Sequence, residues 1–227
     1  MDISNFNFCS DQILSALTEE QREAFFSYRK LFVFDAGKLI FHDHGIPTGV
    51  YFLEEGFAKI YKIGFMGKQQ IFYIYKPGDL LGYQAMLCNE PYEDFCEALT
   101  QCKLSFIEKE DFKHLMDTIP TLKDLLIKNI SHEFGVLVNS IAVLAQKTVR
   151  ERLALFLLVL EERFRKNNHK EGVIFLSRED LANVIGARRE SLTRMLSEFK
   201  NDGIIKVDGR NIKIKDKSSL EQIAFQY

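Results

Sequence analysis

Apolar positions along the chain change period twice. Residues 10–30 carry Ile13, Leu14, Leu17, Phe25 and Phe26 in a broken 3.6-residue stripe, with Asp11 able to cap, so this stretch reads as helical. From Leu31 to Ile107 that period disappears. Runs rich in β-branched and aromatic residues (Leu31–Phe34, Lys38–Phe41, Gly49–Leu53, Ala58–Ile63, Gln70–Tyr75, Lys103–Ile107) alternate with breaks at Gly37, Gly45-Ile46-Pro47, Glu55-Gly56, Gly64 to Gly67 and Pro77-Gly78. Short strands separated by turn residues in this way predict a β-sandwich or barrel.

After Glu108 the β pattern stops. Asp111 to Asp117 reads as a short helix, and Pro120 suits the first turn of a longer one. Leu122, Leu126, Ile130, Phe134, Leu137, Ile141 and Leu144 then recur at spacings of four and three, with Leu125, Val138 and Ala145 widening the stripe. At about 1.5 Å per residue, Pro120 to Ala145 is a rod of roughly 39 Å. So long and so apolar a helix needs more cover than a small β domain provides. A seam of Leu126, Ile130, Leu137, Ile141 and Leu144 pairing with a second copy of the chain would supply it; burial within one chain is the alternative. A further helix is expected from Thr148 to Arg165, with Val149, Leu153, Phe156, Leu157 and Leu160 inward, and a polar loop from Lys166 to Gly172. The hinge between domains then falls near residues 145–148.

Residues 177–214 carry the strongest pattern. Ser177-Arg178-Glu179-Asp180 matches a capping box opening a short helix that buries Leu181, Val184 and Ile185, and Gly186 suits its left-handed end. A second helix starts at Arg188, buries Leu192, Leu196 and Phe199, and stops at Asp202-Gly203. Two short helices joined by a tight turn make a helix-turn-helix. Ile204 to Val207 and Asn211 to Ile214, with Asp208-Gly209 between them, add a hairpin, the wing.

The second helix is poorly built for stability alone. Arg188 and Arg189 stand at its positive end, where each cation costs roughly 0.3–1 kcal/mol. Arg189, Glu190, Thr193 and Arg194 share or border one outward face, offering guanidinium forks, a carboxylate and a hydroxyl for base edges. Ser177, Arg178, Glu179, Arg188 and Ser191, with the backbone N–H groups of the helix starts, are candidates for the DNA backbone. Lys200, Lys206 and Arg210 read as phosphate contacts or solvated charges. The competing reading is a charged surface laced by pairs such as Glu190–Arg194.

Composition adds to this in one respect. The 227 residues, 46% hydrophobic and 27% charged, suffice for a sizeable core and exclude a disordered or collagenous chain. Residues 147–217 hold 17 Lys+Arg against 11 Asp+Glu, whereas the rest holds 13 against 21. A basic C-terminal third fits a polyanion-binding module, although a solvated surface gives the same count. The longest apolar run, Leu153 to Leu160, is too short for a bilayer, so no membrane partner is expected. No export signal opens the sequence, and its four cysteines form no CxxC pair, so the cytoplasm and reduced thiols are expected. No phosphate loop, nucleophile elbow or His-Glu-x-x-His appears; neither an enzyme nor a cofactor or metal is expected.

Over nearly its whole length the chain resembles the Crp/Fnr superfamily of bacterial transcription regulators. Gly37, Gly45, Gly56, Gly78 and Gly82 follow that family's punctuation, with Val50-Tyr51-Phe52-Leu53-Glu54-Glu55-Gly56 the nearest stretch. Ile185-Gly186-Ala187-Arg188-Arg189-Glu190-Ser191-Leu192-Thr193-Arg194 resembles its recognition element. The resemblance implies an α+β chain: a jelly-roll-like β-roll sensor of the cyclic-nucleotide-binding type over 1–118, a dimerisation helix over 119–146 and a winged helix-turn-helix over 147–227. It implies a homodimer on double-stranded DNA, with Arg189, Glu190 and Arg194 reading a palindrome of TGA-containing half-sites, and RNA polymerase as a partner.

The sensor departs from the family. Cyclic-nucleotide binders carry Gly-Glu for the ribose and then an Arg for the phosphate; here Gly78-Asp79-Leu80-Leu81-Gly82-Tyr83 puts Tyr83 at the Glu position. The loop Asn89 to Cys96 has no Arg and holds Glu90, Glu93 and Asp94. A cyclic phosphate without a cation there is strongly disfavoured, so no tight cAMP or cGMP binding is expected. A different small-molecule effector would face Gly78 to Tyr83, Phe95 and Cys96. The family's oxygen-sensing branch holds an iron–sulfur centre with an N-terminal cysteine cluster, but only Cys9 lies near this start. Cys88, Cys96 and Cys102 read as core thiols or a redox pair, and His42, His44 and His132 as ordinary histidines or ligands. The remaining alternative is a ligand- or redox-responsive module whose winged helix docks a protein; such a face favours aromatic or aliphatic anchors.

Overall fold

The computed structural model describes residues 3–64, 67–165 and 172–225. Among these, Phe8–Ile63 and Phe72–Phe134 form one compact unit, and the described parts of Met1–Asn7, Gly64–Ile71 and Gly135–Tyr227 a second.

The first unit opens with α1 (Asp11–Ser15) and α2 (Glu19–Ser27). The single helical stretch expected over 10–30 is two helices because Thr18 restarts the chain. Its Oγ1 accepts from the Gln21 amide while the Gln21 side chain accepts from the Thr18 amide. Eight strands follow: β1 (Lys30–Phe34), β2 (Leu39–Phe41), β3 (Gly49–Glu55), β4 (Ala58–Ile63), β5 (Gln69–Tyr75), β6 (Leu80–Leu81), β7 (Phe95–Ala98) and β8 (Cys102–Glu108). They make two four-stranded sheets, β1-β8-β3-β6 and β2-β7-β4-β5. Gly56 turns β3 into β4 at φ +94°, where a Cβ would stand 2.3 Å from the Gln101 carbonyl oxygen. Between β6 and β7 lies α3 (Tyr83–Cys88). Neither β6 nor β7 was legible in the sequence, because two residues are too few to show alternation and Phe95 follows an acidic run.

α4 (Lys109–Thr118) and α5 (Pro120–Gln146) follow, and α5 contributes to both units. Its first turns close the core of the first unit: Leu122 and Leu126 pack with Phe25, Val50, Leu80, Tyr83 and Phe112. Leu126 therefore does not belong to an exposed seam, since it is 1% exposed. The apolar residues left in solvent are Ile127 (61%), Ile130 (36%), Phe134 (70%), Val138 (48%) and Ile141 (66%), spaced three, four, four and three apart on one side of the helix. Leu137 and Leu144 flank that row half-buried.

In the second unit α6 (Val149–Arg163) starts with a capping box between Thr148 and Glu151 and buries Leu153, Leu157 and Leu160. Then come β9 (Ile174–Phe175), α7 (Arg178–Ile185), α8 (Arg189–Asn201), β10 (Ile205–Asp208), β11 (Asn211–Ile214) and α9 (Lys217–Phe225). The sequence predicts neither β9 nor α9. Of the polar loop expected over Lys166 to Gly172, all but Gly172 lies outside the described residues. No helix among the described residues is long and apolar enough to cross a membrane.

Candidate nucleic-acid interface

α7 is set by its cap. Ser177 Oγ accepts from the Asp180 amide at 2.9 Å and donates to the Asp180 carboxylate at 2.6 Å. That hydroxyl is committed to the cap, which removes it as the donor to phosphate that the sequence suggested. Arg178 is committed as well: its Nη2 donates to the Gly209 carbonyl at 3.0 Å and ties the helix to the wing. Glu179 is exposed in the first turn, where its charge suits the helix dipole; its backbone amide, not its carboxylate, suits a phosphate.

Gly186 ends α7 at φ +61°, and a Cβ there would meet Leu144 Cδ2 at 3.0 Å. This tight turn brings α8 in at once, with Arg188 as an N-cap that makes no side-chain capping bond. Leu192, Leu196 and Phe199 are buried, so helical period alone turns Arg189, Glu190, Thr193 and Arg194 to solvent, with Ser191 half-buried beside them. Arg150 of α6 holds the far end of α8, pairing with Glu198 at 3.1 Å and lying 5.0 Å over the Phe199 ring.

The guanidinium groups of Arg188, Arg189 and Arg194 make no hydrogen bond or ion pair with another described residue, so the surface pair Glu190–Arg194 is not formed. Thr193 Oγ1 donates back to the Arg189 carbonyl at 2.8 Å, which leaves its oxygen able to accept.

The wing is the β10–β11 hairpin, extended by β9 into a three-stranded sheet. Asp208 pairs with Asn211, so the loop is Gly209-Arg210, one residue beyond the expected Asp208-Gly209. Ile205 and Ile212 face inward, while Lys206 and Lys213 stand exposed and directly opposite each other. Like charges so placed cost stability, and a polyanion offsets that cost. Lys213 was missed because only the strand register makes it the neighbour of Lys206.

A second missed feature comes from the β4–β5 hairpin tip, which belongs to the same unit. Lys68 Nζ donates to the Ala187 carbonyl at 3.3 Å and Gln70 Nε2 to the Val184 carbonyl at 3.2 Å, bracketing the turn between α7 and α8. Nothing in the sequence pattern joins positions so far apart.

The expected effector residues are mostly interior. Asp79, Leu80, Leu81, Gly82, Tyr83 and Cys96 are buried, with Gly78 and Phe95 half-buried. Asp79 accepts from Ser10 Oγ and from the Lys76 amide, each at 2.8 Å, yet burial outweighs both donors and pushes its carboxyl up to about 8. Tyr83 accepts from Asn129 Nδ2 on α5, and Glu133 takes bonds from Asn129 and from Gln84 Nε2 at 2.8 Å each. Burial pushes the Cys96 and Cys102 thiols up, as expected of core sulfurs, while Cys88 is exposed. His42 Nδ1 lies 2.8 Å from the Asp43 carbonyl, and His44 is 3.6 Å from the Asp43 carboxylate. Among the described residues no group of three or more His, Cys, Asp or Glu could hold a metal ion.

Known families match both halves of the chain. The cyclic nucleotide-binding domain matches residues 31–119 and the Crp-like helix-turn-helix domain residues 151–223. Relatives include the fumarate and nitrate reduction regulatory protein of Escherichia coli K12, 28% identical over 190 residues that cover 83% of this chain and 76% of that protein. The anaerobic regulatory protein of Aggregatibacter actinomycetemcomitans is 28% identical over 179 residues, 78% of this chain and 69% of its own. The chain belongs to the Crp/Fnr family of transcription regulators. FixK2 from Bradyrhizobium japonicum shares its fold, with a TM-score of 0.78 at 22% identity over 88% of this chain and 98% of that one. So does a CooA mutant from Carboxydothermus hydrogenoformans, with a TM-score of 0.76 at 18% identity over 97% and 99%. The Crp/Fnr relatives are regulators, and this chain is not an enzyme.

Where the resemblance places a cyclic-nucleotide site, this Crp/Fnr regulator has a buried tyrosine and acidic side chains. Tyr83 is buried where cyclic-nucleotide binders carry Glu, and its hydroxyl is held by Asn129. The nearby acids make matters worse for a phosphate: burial pushes the Asp94 carboxyl up to about 6 against the pull of Lys62, and that lysine is paired with Glu93 at 2.8 Å.

Proposed function

We propose that this Crp/Fnr regulator is a cytoplasmic, sequence-specific reader of duplex DNA that binds a palindromic site as a homodimer. One observation carries the reading: Arg188 and Arg189 crowd the exposed start of α8, at the helix end where cations are least welcome, Arg194 stands exposed one turn on, and none of the three guanidinium groups has a partner among the described residues. Arg189 and Arg194 address guanine O6 and N7, Glu190 a cytosine amino group, and Thr193 an adjoining base edge. Arg188, Ser191, Lys206 and Lys213 face phosphates. The opposed lysines of the wing support a polyanion as the partner and not an apolar protein surface.

The row Ile127, Ile130, Phe134, Val138 and Ile141 supports the dimer, because five large apolar side chains on one line of a helix need cover from a second helix. Two recognition helices on a palindrome then stand about 34–36 Å apart, one turn of DNA. Half-sites with a TGA core and contact with RNA polymerase follow from family membership. Any effector is not a cyclic nucleotide. Titration of a labelled duplex at several salt concentrations tests the reading: log affinity should fall with log salt by about 0.9 for each phosphate neutralised. Binding that ignores salt would mean that the winged helix docks something other than DNA.

A further inference from the structure

A cleft of about 260 Å³ opens beside α1, walled on its far side by α5. Cys9, Lys128, Asn129 and His132 line it. Cys9 Sγ lies 3.4 Å from His132 Nε2, within reach for transfer of the thiol proton. Lys128 is exposed at the cleft and makes no ion pair with another described residue. Asn129 is buried, and its Oδ1 has no hydrogen-bond partner although its Nδ2 serves both Tyr83 and Glu133. The cleft thus joins a nucleophile, a base, an uncommitted cation and an unsatisfied acceptor.

The other three thiols lack this arrangement. Cys96 and Cys102 are buried. Cys88 is exposed, but its Sγ donates to the helix carbonyls of Gln84 at 3.3 Å and Ala85 at 3.4 Å. Reactivity follows the thiolate and not exposure alone.

The geometry points to Cys9 and His132 as a thiol–disulfide exchange site for small carboxylate-bearing disulfides. His132 Nε2 takes the Cys9 proton, and the thiolate attacks one sulfur of the incoming disulfide. A bond forms between Cys9 Sγ and that sulfur as the original S–S bond breaks. The Cys9 sulfur is oxidised, the departing sulfur is reduced, and the departing thiolate recovers the proton from the imidazolium. Lys128 pairs with the carboxylate of the incoming molecule. The site differs from the Gly78 to Tyr83 region, whose residues are taken up in the core.

The test treats the reduced, full-length protein with dithiodiglycolate or cystamine at neutral pH and maps the adducts by peptide mass. Cys9 should be modified before the more exposed Cys88, and the anionic disulfide should react roughly tenfold faster there than the cationic one. His132→Gln should slow Cys9 roughly tenfold and leave Cys88 unchanged. Lys128→Gln, at an exposed position that does not threaten folding, should abolish the preference for the anion, slowing the reaction of Cys9 with dithiodiglycolate and speeding that with cystamine. Modification of Cys88 first, equal rates for the two disulfides, or a charge preference that survives Lys128→Gln would overturn the assignment, whether or not His132→Gln folds.

Discussion

The side-chain amide of Asn129 on α5 donates to the hydroxyl of Tyr83 at the start of α3, so the position that carries the ribose-binding Glu in cyclic-nucleotide binders is tied to the long helix from within. Tyr83 is fully buried, and its hydroxyl is held by the Asn129 amide and by the Glu133 carboxylate. Tyr83→Phe should therefore cost about 1 kcal/mol, the usual net worth of a buried hydrogen bond, read by urea unfolding. Neither the parent protein nor the variant should show saturable low-micromolar binding of cAMP or cGMP by calorimetry.

Asp79 makes stability depend on pH in an unusual direction. Its carboxyl titrates near 3.8 in the unfolded chain and at about 8 when buried, so the folded state holds the proton over a range where the unfolded state has lost it. The stabilising contribution is complete below the lower value, declines by about 1.4 kcal/mol per pH unit between the two, and is gone above the upper one. Asp79→Asn should flatten the unfolding free energy across that interval. An unchanged profile would place the titration elsewhere.

The β-roll, the long helix and the winged helix-turn-helix were legible because their periods are long and their punctuation is chemically strict. Gly186 needs its positive φ, and the run Leu192, Leu196, Phe199 fixes which face of α8 turns outward. The effector region was not legible in the same way. A stretch such as Leu80-Leu81-Gly82-Tyr83 looks alike whether it lines a pocket or fills the core, and only three-dimensional packing with Phe25 and Phe112 separates the two. Leu126 and Ile127 show the same limit: adjacent, apolar and indistinguishable by type, one closes the core while the other stands in solvent. Arg178 read as a phosphate contact because its acceptor, the Gly209 carbonyl, comes from a distant turn.

That division of α5 yields contrasting variants. Phe134→Asp or Ile141→Asp should convert the proposed dimer to a monomer in sedimentation equilibrium with little loss of fold, because both side chains stand in solvent within one chain. Leu126→Ala should instead cost about 2–5 kcal/mol of stability through a core cavity and leave the oligomeric state alone. Dimers that survive both aspartate substitutions would remove the exposed row from the interface.

Arg189 and Arg194 offer the finest test of base reading. Each change to Ala should cost about 1–3 kcal/mol on the preferred duplex and relax specificity at a different base pair, measured by competition with single-base variants. Lys206→Ala and Lys213→Ala should weaken binding to every sequence alike and reduce the salt slope by about one contact each. A uniform loss for the arginine variants would reassign them to phosphates.

Selection from random duplex DNA by the purified protein tests the central claim most directly. A DNA-reading dimer should enrich a two-fold palindrome with TGA-type half-sites whose centres lie one helical turn apart, and the enrichment should be lost when Arg189 and Arg194 are both replaced. Recovery of no common sequence, with only weak and salt-sensitive retention, would contradict it.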